Sequence, residues 1–509
     1  MKDNPQKNAK LTLEPSGSVL DVALGSSLRD ILFDQGLEFP CGGMGTCRGC
    51  LVKIRGGEIP ITEPDIAILD AEEIKQGWRL GCQAEVLGDM TLTLPDWDMQ
   101  ILADSNPIES VTNDRGLGIA FDIGTTTIAA QLVERSTLKL LKTVTEQNAQ
   151  GRFGSDIMSR LDHALNTDKG SLDLSGLIEN QVISMISTLL ADTENIDVTA
   201  IQMVGNTAMH HLFGALPAQS LAHFPFNPST LEALVINTRD RKWGLKSKPD
   251  MTFLPNLGGF VGSDILAGIL ATGMHLSEEP VALIDLGTNG EMVMGDKHGL
   301  ICASAAAGPA FEGARIEMGM SAISGAISEV YQEAGEIRVS VIGGGEPRGI
   351  CGSGLVDAIA LGLDLNIIAE NGRLNLGDEW AFVKTIHLTQ KDIREVQLAK
   401  GAIAAGFSML LKEAGLESSK LKQIYLAGGF GNYIHAEKAL RLGLIACSLE
   451  QISPVGNAAL RGAKLALQEK SQPAIQRIRQ ITRHVELAML PEFQDSFAES
   501  MFFKDYSTV

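Results

Sequence analysis

Gly118-Ile-Ala-Phe-Asp122-Ile-Gly124-Thr125-Thr126-Thr127-Ile-Ala-Ala-Gln-Leu-Val133 reads as an apolar strand, a tight turn of glycine and threonines, and a second apolar strand. The same device returns about 160 residues later, at Val281-Ala-Leu-Ile-Asp285-Leu-Gly287-Thr288-Asn289-Gly-Glu291-Met-Val-Met294, so the chain carries an internal repeat. In each copy a carboxylate ends a strand, and backbone N–H groups and hydroxyls follow it. Such a turn grips phosphate oxygens, and the carboxylate holds the water shell of a Mg2+ ion. One copy is weak evidence; two imply lobes that face each other across a nucleotide. A third glycine element, Ile424-Tyr-Leu-Ala-Gly428-Gly429-Phe430-Gly431, is a strand running into a turn where a flat adenine or ribose can lie against the backbone. A fourth, Gly349-Ile-Cys-Gly352-Ser353-Gly354-Leu-Val-Asp-Ala358, opens a helix whose first N–H groups suit a nucleotide phosphate. The alternative there is an unliganded helix start with Ser353 as N-cap.

Between these motifs the stretches 156–165, 177–190 and 393–411 repeat apolar residues every three or four positions, as helices with a core face do. Val204-Gly-Asn206-Thr207-Ala-Met-His210-His211 ends a strand and begins a helix near the expected cleft. Asn206 is a candidate phosphate contact, and the two histidines read as one packed and one solvated rather than as metal ligands. Asn256-Leu-Gly-Gly-Phe-Val-Gly262-Ser-Asp264 is a loop that carries a carboxylate into a helix. Asp264 is either a group near the hydrolytic water or the N-cap of that helix. The candidate catalytic groups are then Asp122, Asp285 and Asp264. Thr125, Thr126, Thr127, Thr288 and Asn289 face phosphates, and Gly428, Gly429 and Gly431 flank the adenosine.

Upstream, Cys41-Gly-Gly-Met-Gly-Thr-Cys47-Arg-Gly-Cys50 joins Cys82 of Leu80-Gly-Cys82-Gln, four thiols in the first fifth of the chain. Four thiolates hold a 2Fe-2S cluster, whose plant-type run is Cys-x4-Cys-x2-Cys with a distant fourth cysteine. Here the first gap is five residues and 31 residues separate Cys50 from Cys82, a spacing that resembles adrenodoxin-like ferredoxins. A structural zinc site is the alternative. Zinc ribbons, however, pair two short Cys-x2-4-Cys knuckles, and Cys82 stands alone. Residues 10–14 and 18–22 alternate as a hairpin around Gly17, and a helix follows with Ser27 as N-cap, Leu28, Ile31 and Leu32 on one face and Gly36 as its stop. Strands at 51–54 and 90–94 close the region. Hairpin, helix, cysteine loop and closing strands in that order resemble a β-grasp ferredoxin.

Residues 95–115 are polar and aperiodic, either a mobile linker or a packed irregular connector. The expected organisation of the 509 residues is a ferredoxin-like domain over 1–96, a linker over 97–115, and two ATPase lobes over 116–280 and 281–509. A net charge of −20 argues against nucleic acid or an anionic membrane as partner. No secretory pattern opens the chain, and the most apolar run, 259–276, is broken by Asp264. A soluble, cytoplasmic protein is expected, with Cys302, Cys351 and Cys447 as buried free thiols.

Asp122-Ile-Gly-Thr-Thr-Thr127, Gly205-Asn-Thr-Ala-Met-His210, Asp285-Leu-Gly-Thr-Asn-Gly-Glu291, Gly308-Pro-Ala-Phe-Glu-Gly313, Ile350-Cys-Gly-Ser-Gly354 and Ala427-Gly-Gly-Phe-Gly431 resemble the sequence blocks of the reductive activators of corrinoid proteins. The repeat and the third glycine element resemble the phosphate-1, phosphate-2 and adenosine motifs of the acetate kinase, sugar kinase, Hsp70 and actin (ASKHA) superfamily. The resemblance covers nearly the whole chain and implies a multidomain α+β and α/β protein, a β-grasp 2Fe-2S ferredoxin fused to a two-lobed actin-like ATPase core. It implies a 2Fe-2S cluster held by Cys41, Cys47, Cys50 and Cys82, together with ATP and Mg2+. The implied activity is ATP-dependent one-electron reduction of Co(II) to Co(I) on a corrinoid-binding protein of a methyltransferase system. An external low-potential donor is implied too, and homodimer assembly is left open. One departure is expected: family members can carry a small domain between ferredoxin and core, where this chain has only its linker. An activator of a radical or dehydratase enzyme would keep every residue role and change the partner. A small-molecule kinase or a nucleotide-assembled scaffold has no use for the cysteines.

Overall fold

Apolar and polar residues alternate on both sides of Gly17, and the chain forms there two antiparallel strands, β1 (Asn8–Glu14) and β2 (Ser18–Ala23), registered from Asn8↔Ala23 to Leu13↔Ser18. The structure, a computed structural model, describes residues 8–14, 17–33, 35, 37, 39, 43–45, 50–94, 108, 110–154, 156–167, 169–191, 197–239, 243–313, 315–383, 386–428, 431 and 434–507. It divides into two compact units, Met1–Met99 with Ala149–Arg160, and Gln100–Asn148 with Leu161–Val509.

In the first unit α1 (Leu28–Phe33), β3 (Leu51–Gly56), α2 (Glu63–Ile68), α3 (Ala71–Lys75), β4 (Trp78–Leu80) and β5 (Met90–Thr93) follow the hairpin. The sheet order β2-β1-β5-β3-β4, with β1 parallel to β5 and the other pairs antiparallel, is the β-grasp arrangement. The inward residues of β1, Ala9, Leu11 and Leu13, share one core with Leu28 and Leu32 of α1 and with Val52, Leu80 and Leu92. Thr62 and Asp70 start α2 and α3 with capping boxes, each satisfying two otherwise orphaned N–H groups. Buried Asp65 of α2 also accepts from Leu80 N at 2.8 Å, which fastens α2 to the strand that leads into Cys82. The segment Ala149–Arg160 adds Arg152, whose guanidinium lies 5.2 Å from the Phe33 ring.

The second unit repeats one topology twice. Its first half runs β6 (Leu117–Ile123), β7 (Thr127–Glu134), β8 (Leu140–Gln147), α4 (Ile157–Asn166), α5 (Gly170–Leu190), β9 (Val198–Val204), α6 (Thr207–Phe213), α7 (Gln219–Ala222), β10 (Leu234–Asn237), β11 (Asp250–Phe253) and α8 (Ser263–Thr272). Its second half runs β12 (Val281–Leu286), β13 (Gly290–Asp296), β14 (Gly299–Ala305), β15 (Ala326–Glu333), β16 (Glu336–Val341), β17 (Gly349–Ile350), α9 (Gly352–Asp364), β18 (Glu379–Val383), β19 (Ile386–Thr389), α10 (Gln390–Ala414), β20 (Ile424–Ala427), α11 (Ala436–Leu442), β21 (Ile452–Gly456), α12 (Ala458–Ala466), α13 (Gln472–Ile481), β22 (Thr482–His484) and α14 (Phe493–Ser500). In one sheet β8-β7-β6 are antiparallel and β9 and β11 add parallel to β6; in the other β14-β13-β12 are antiparallel and β20 and β21 add parallel to β12. The two Asp-x-Gly-Thr turns are the first hairpins of these sheets, as the repeat requires.

The halves are not independent lobes. Ala120, Ala129 and Val204 of the first sheet, Ile265, Leu266 and Ala267 of α8, Leu283, Val293 and Ala427 of the second sheet and Ala458, Leu460 and Ala463 of α12 form one continuous core. Fully burying a leucine such as Leu460 contributes roughly 1.5–3 kcal/mol. Helix α12, from the second half, thus stands against α8 and the first sheet.

Of the two readings left open for residues 95–115, the described part follows the packed connector: Asp114 Oδ1 takes a 3.0 Å ion pair from Arg135 Nη2, and Ser110 Oγ donates to Gln468 Oε1 at 2.8 Å. Residues 95–107 lie outside the described residues. Both His210 and His211 are buried rather than one being solvated, because α6 is enclosed on all faces. Helix α5 begins at Gly170, earlier than the apolar repeat suggests. Cys302, Cys351 and Cys447 are free and buried. Among the described residues no helix is long and apolar enough to cross a membrane.

Candidate functional site

Four carboxylates gather where the two hairpins of the second unit meet. Asp122 and Asp285 are the next-to-last residues of β6 and β12. Asp264 arrives from the loop before α8, which is tied down by Gly205: Ser263 N and Asp264 N donate to Gly205 O at 3.0 and 3.3 Å, and Ser263 Oγ does so at 3.1 Å. Gly262, not Asp264, is the N-cap of α8, so Asp264 stands in the first turn, where its Oδ1 accepts from Ile265 N at 2.7 Å. The fourth is Glu291 of β13, directly opposite Asp285 in the antiparallel register. Paired residues on one sheet face have Cβ atoms about 4.5–5.5 Å apart, and like charges so placed repel.

Burial raises the pKa of all four, and neighbouring carboxylates add to it at Asp285, Asp264 and Glu291. Burial, opposed by the Asn457 amide, pushes Asp122 up to about 6. Burial and the Asp122 charge push Asp285 up to about 7. Asp264 is raised by burial and by the charges of Asp285 and Asp122, and Glu291 by burial and by Asp264 and Asp285. Carboxylates forced together in this way hold protons or a cation. Among the described residues no three His, Cys, Asp or Glu side chains form a group that could hold a metal ion directly.

Other side chains organise this floor. Asn457 caps α12, its Oδ1 accepting from Leu460 N at 2.7 Å, while its Nδ2 donates to Asp122 Oδ2 at 2.8 Å across 335 residues of sequence. Asn206 caps α6 and donates to Thr125 Oγ1 at 3.0 Å. Asn148 Nδ2 and N donate to Gly124 O and Thr126 O at 2.7 and 2.8 Å, bracing the first turn whose last threonine, Thr127, opens β7. In the second turn Thr288 Oγ1 donates to Glu312 Oε1 at 2.8 Å, and the Asn289 side chain serves Glu291. Both therefore have part of their hydrogen-bonding capacity engaged within the protein. Gly287 is open, with no protein atom nearer to a Cβ there than Asn289 O at 3.8 Å.

Of the alternatives for the third and fourth glycine elements, the Ser353 N-cap is the one that does not hold. Gly428 has φ +85°, and a Cβ there would lie 2.5 Å from Asp285 Oδ1, so the backbone itself approaches the carboxylate. Gly431 meets only ordinary contacts, and Gly429 lies outside the described residues. Helix α9 is capped by Cys351, not Ser353, and has no side-chain cap bond. Ser353 Oγ instead donates to Ser328 O at 2.8 Å, so at Gly352 and Ser353 the backbone N–H groups, not the hydroxyl, are left for a ligand.

In the first unit the described cysteines are Cys50 and Cys82; Cys41 and Cys47 lie outside the described residues. Pairing of β3 with β4 solves the long sequence gap. Leu51 faces Leu80 and Gly81 N donates to Cys50 O at 2.9 Å, which puts the residues on either side of that pair, Cys50 and Cys82, at one end of the sheet. Gln83 Nε2 lies 3.6 Å from Cys82 Sγ and 2.7 Å from Gly43 O. Thiols at the end of a sheet, with an N–H aimed at sulfur, fit thiolate ligation of iron.

Sequence reasoning assigned no role to Glu291, Glu312, Asn148 or Asn457. Glu291 was legible in principle, since alternation along β13 places it on the face of Asp285; the others act through contacts between distant segments.

Comparison with known proteins agrees with both halves. Residues 11–87 match the 2Fe-2S iron-sulfur cluster binding domain, 117–277 the RACo middle region, and 279–508 the C-terminal domain of RACo, the ASKHA domain. The chain is 37% identical over 423 residues to the corrinoid activation enzyme RamQ of Eubacterium limosum, covering 76% of this chain and 70% of that protein. It is 31% identical over 391 residues to the [Co(II) methylated amine-specific corrinoid protein] reductase of Methanosarcina barkeri, covering 70% of each. A solved structure named reductive activator for corrinoid, iron-sulfur protein superposes with a TM-score of 0.68 at 27% identity, over 98% of this chain and 99% of its own.

Proposed function

Because the chain belongs to the family of reductive activators of corrinoid proteins, we infer that it reduces the Co(II) form of a corrinoid-binding protein to Co(I) in an ATP-dependent, one-electron step, serving a methyltransferase system. The observation that carries the reading is the union in one polypeptide of a β-grasp unit with Cys50 and Cys82 at one sheet end and a two-sheet core with a four-carboxylate floor. The division is 1–96 for the cluster domain, 97–115 for the connector, and 116–280 and 281–509 for the two ATPase halves.

A 2Fe-2S cluster on Cys41, Cys47, Cys50 and Cys82 supplies one-electron transfer near about −400 mV when of the plant type. For one electron each 59 mV is about a tenfold change in equilibrium, so an acceptor of lower potential fills poorly without a further bias. ATP binding and hydrolysis in the core supply it, through a conformation that binds the Co(II) acceptor with a different affinity. Asp122 and Asp285 would hold a Mg2+ ion, which would neutralise charge on the phosphates. Asp264 and Glu291 stand beside them to orient the hydrolytic water, and Thr125, Thr126, Thr127, Asn206, Gly287, Thr288 and Asn289 meet phosphates. Gly352 and Ser353 offer helix N–H groups, and Gly428, Gly429 and Gly431 flank the adenosine. The electron enters from an external low-potential donor.

The test is anaerobic bleaching of the Co(II) absorbance of a corrinoid acceptor. Asp122→Ala should abolish ATP turnover and leave the visible spectrum of the iron-loaded protein unchanged; Cys47→Ala should remove spectrum and reduction while sparing basal hydrolysis. Equal rate and extent of cobalt reduction with and without nucleotide would sink the coupling.

A further inference from the structure

Gln83 directly follows Cys82 and folds its side chain back over the site. Its Nε2 is 2.7 Å from Gly43 O and 3.6 Å from Cys82 Sγ. A carbonyl oxygen only accepts, so the Gly43 contact identifies which end of the amide is NH2. That group has two hydrogens: one goes to Gly43, the other to sulfur. The stem of Gln83 also lies along the cysteine loop, for a Cβ on Gly45 would be 3.1 Å from both Gln83 Cγ and Cδ. One side chain therefore joins the two segments that carry the four cysteines, and it touches a sulfur.

We propose that Gln83 tunes the reduction potential of the iron-sulfur centre by donating an N–H hydrogen bond to the Cys82 sulfur. The inference rests on the reading that these cysteines hold a 2Fe-2S cluster; the thiol sulfur of Cys82 stands here for the thiolate ligand. When the external donor delivers one electron, the centre and its thiolates become more negative by one charge, and no bond to the protein forms or breaks. A fixed N–H dipole aimed at the sulfur interacts more strongly with the more negative state, so it favours reduction and raises the potential. The role has two sides. Gln83 makes the centre easier to fill from the donor and a weaker reductant toward cobalt, which enlarges the bias that ATP must provide.

A mere brace between Cys82 and the loop would affect cluster retention and leave the potential alone. The discriminating measurement is an anaerobic redox titration of the full-length, iron-loaded protein, read by electron paramagnetic resonance and visible absorbance, for wild type, Gln83→Leu and Gln83→Glu. At the wild-type midpoint the Leu variant should be oxidised over reduced by about three- to tenfold, where tenfold corresponds to 59 mV for one electron, and the Glu variant should shift further the same way. An unchanged or raised midpoint in a cluster-loaded variant overturns the proposal. If both variants lose iron, wild type labelled with 15N in its glutamine amides decides: coupling of the reduced centre's electron spin to a glutamine nitrogen supports the proposal, and its absence overturns it. A wild-type protein with no cluster signal would instead overturn the reading of the four cysteines.

Discussion

Gly462 lies where α12 crosses α8, and a Cβ there would stand 2.0 Å from Ala267 O and 2.4 Å from Ala267 C. Those are backbone atoms, unable to swing aside, and real Cβ atoms essentially never come within 3.0 Å of a neighbour. Gly462→Ala must therefore part the two helices by at least about 1 Å. Overpacking of this kind costs about 1–3 kcal/mol, against about 0.5–1 kcal/mol gained from the better helix former. A net loss of up to about 2.5 kcal/mol follows. The larger effect falls on the chemistry, because α12 carries Asn457 and α8 carries Asp264. The 2.8 Å bond from Asn457 to Asp122 opens beyond hydrogen-bonding range when its helix moves by that amount. Misplacing positioned groups by about 1 Å costs about 10²-fold in rate. Denaturant unfolding of the core, steady-state ATP turnover and the visible spectrum of the iron-loaded protein give the three readouts; the first two should fall and the third should hold. Gly176→Ala on α5, where a Cβ meets nothing within 4 Å, is the control and should stabilise by about 0.5–1 kcal/mol with turnover unchanged. Wild-type unfolding and wild-type turnover in Gly462→Ala would refute the reasoning.

Asn457→Ala removes the amide that opposes burial at Asp122, so that carboxyl should keep its proton to a pH above about 6, and the acid limb of the ATP-turnover profile should move to higher pH; an unmoved limb contradicts the assignment. Because the folded-state pKa values of Asp122 and Asp285 are raised from 3.8 to about 6 and about 7, their contribution to stability is complete below pH 3.8 and is lost as pH rises to about 7. Mg2+ replaces those protons, so the rise in Tm that it causes should be larger at about pH 8 than at about pH 5.5; equal rises would count against a cation on this floor. Lys400 is buried in α10 and donates through Nζ to Ser500 O and Phe502 O, holding the C-terminal segment against the core. Lys400→Met should leave those carbonyls unmet at about 1–3 kcal/mol and speed limited proteolysis after α14; unchanged cleavage would mean the segment is held by its apolar contacts alone.

Motifs that act within a few residues were open to reading in the linear chain. Alternation and the Gly-Thr turns determined both hairpins, since strand–turn–strand geometry is local and period-two burial follows from the pleat. The order of elements around Gly17 and the cysteine run likewise determined a β-grasp unit. What tertiary structure alone decided are the joins. Cys82 comes level with Cys50 only through the pairing of β3 with β4. Asp264 becomes part of the acidic floor because Gly205 ties its loop, and Asp122 acquires Asn457 from the far end of the chain because α12 packs on α8. The second hairpin holds Glu291 opposite its aspartate where the first has Ala129, so the two halves of the repeat carry unequal charge. Periodicity reports which face of an element is buried and not which distant element covers it, and the free energy of those joins lies in contacts that exist only after the chain has folded.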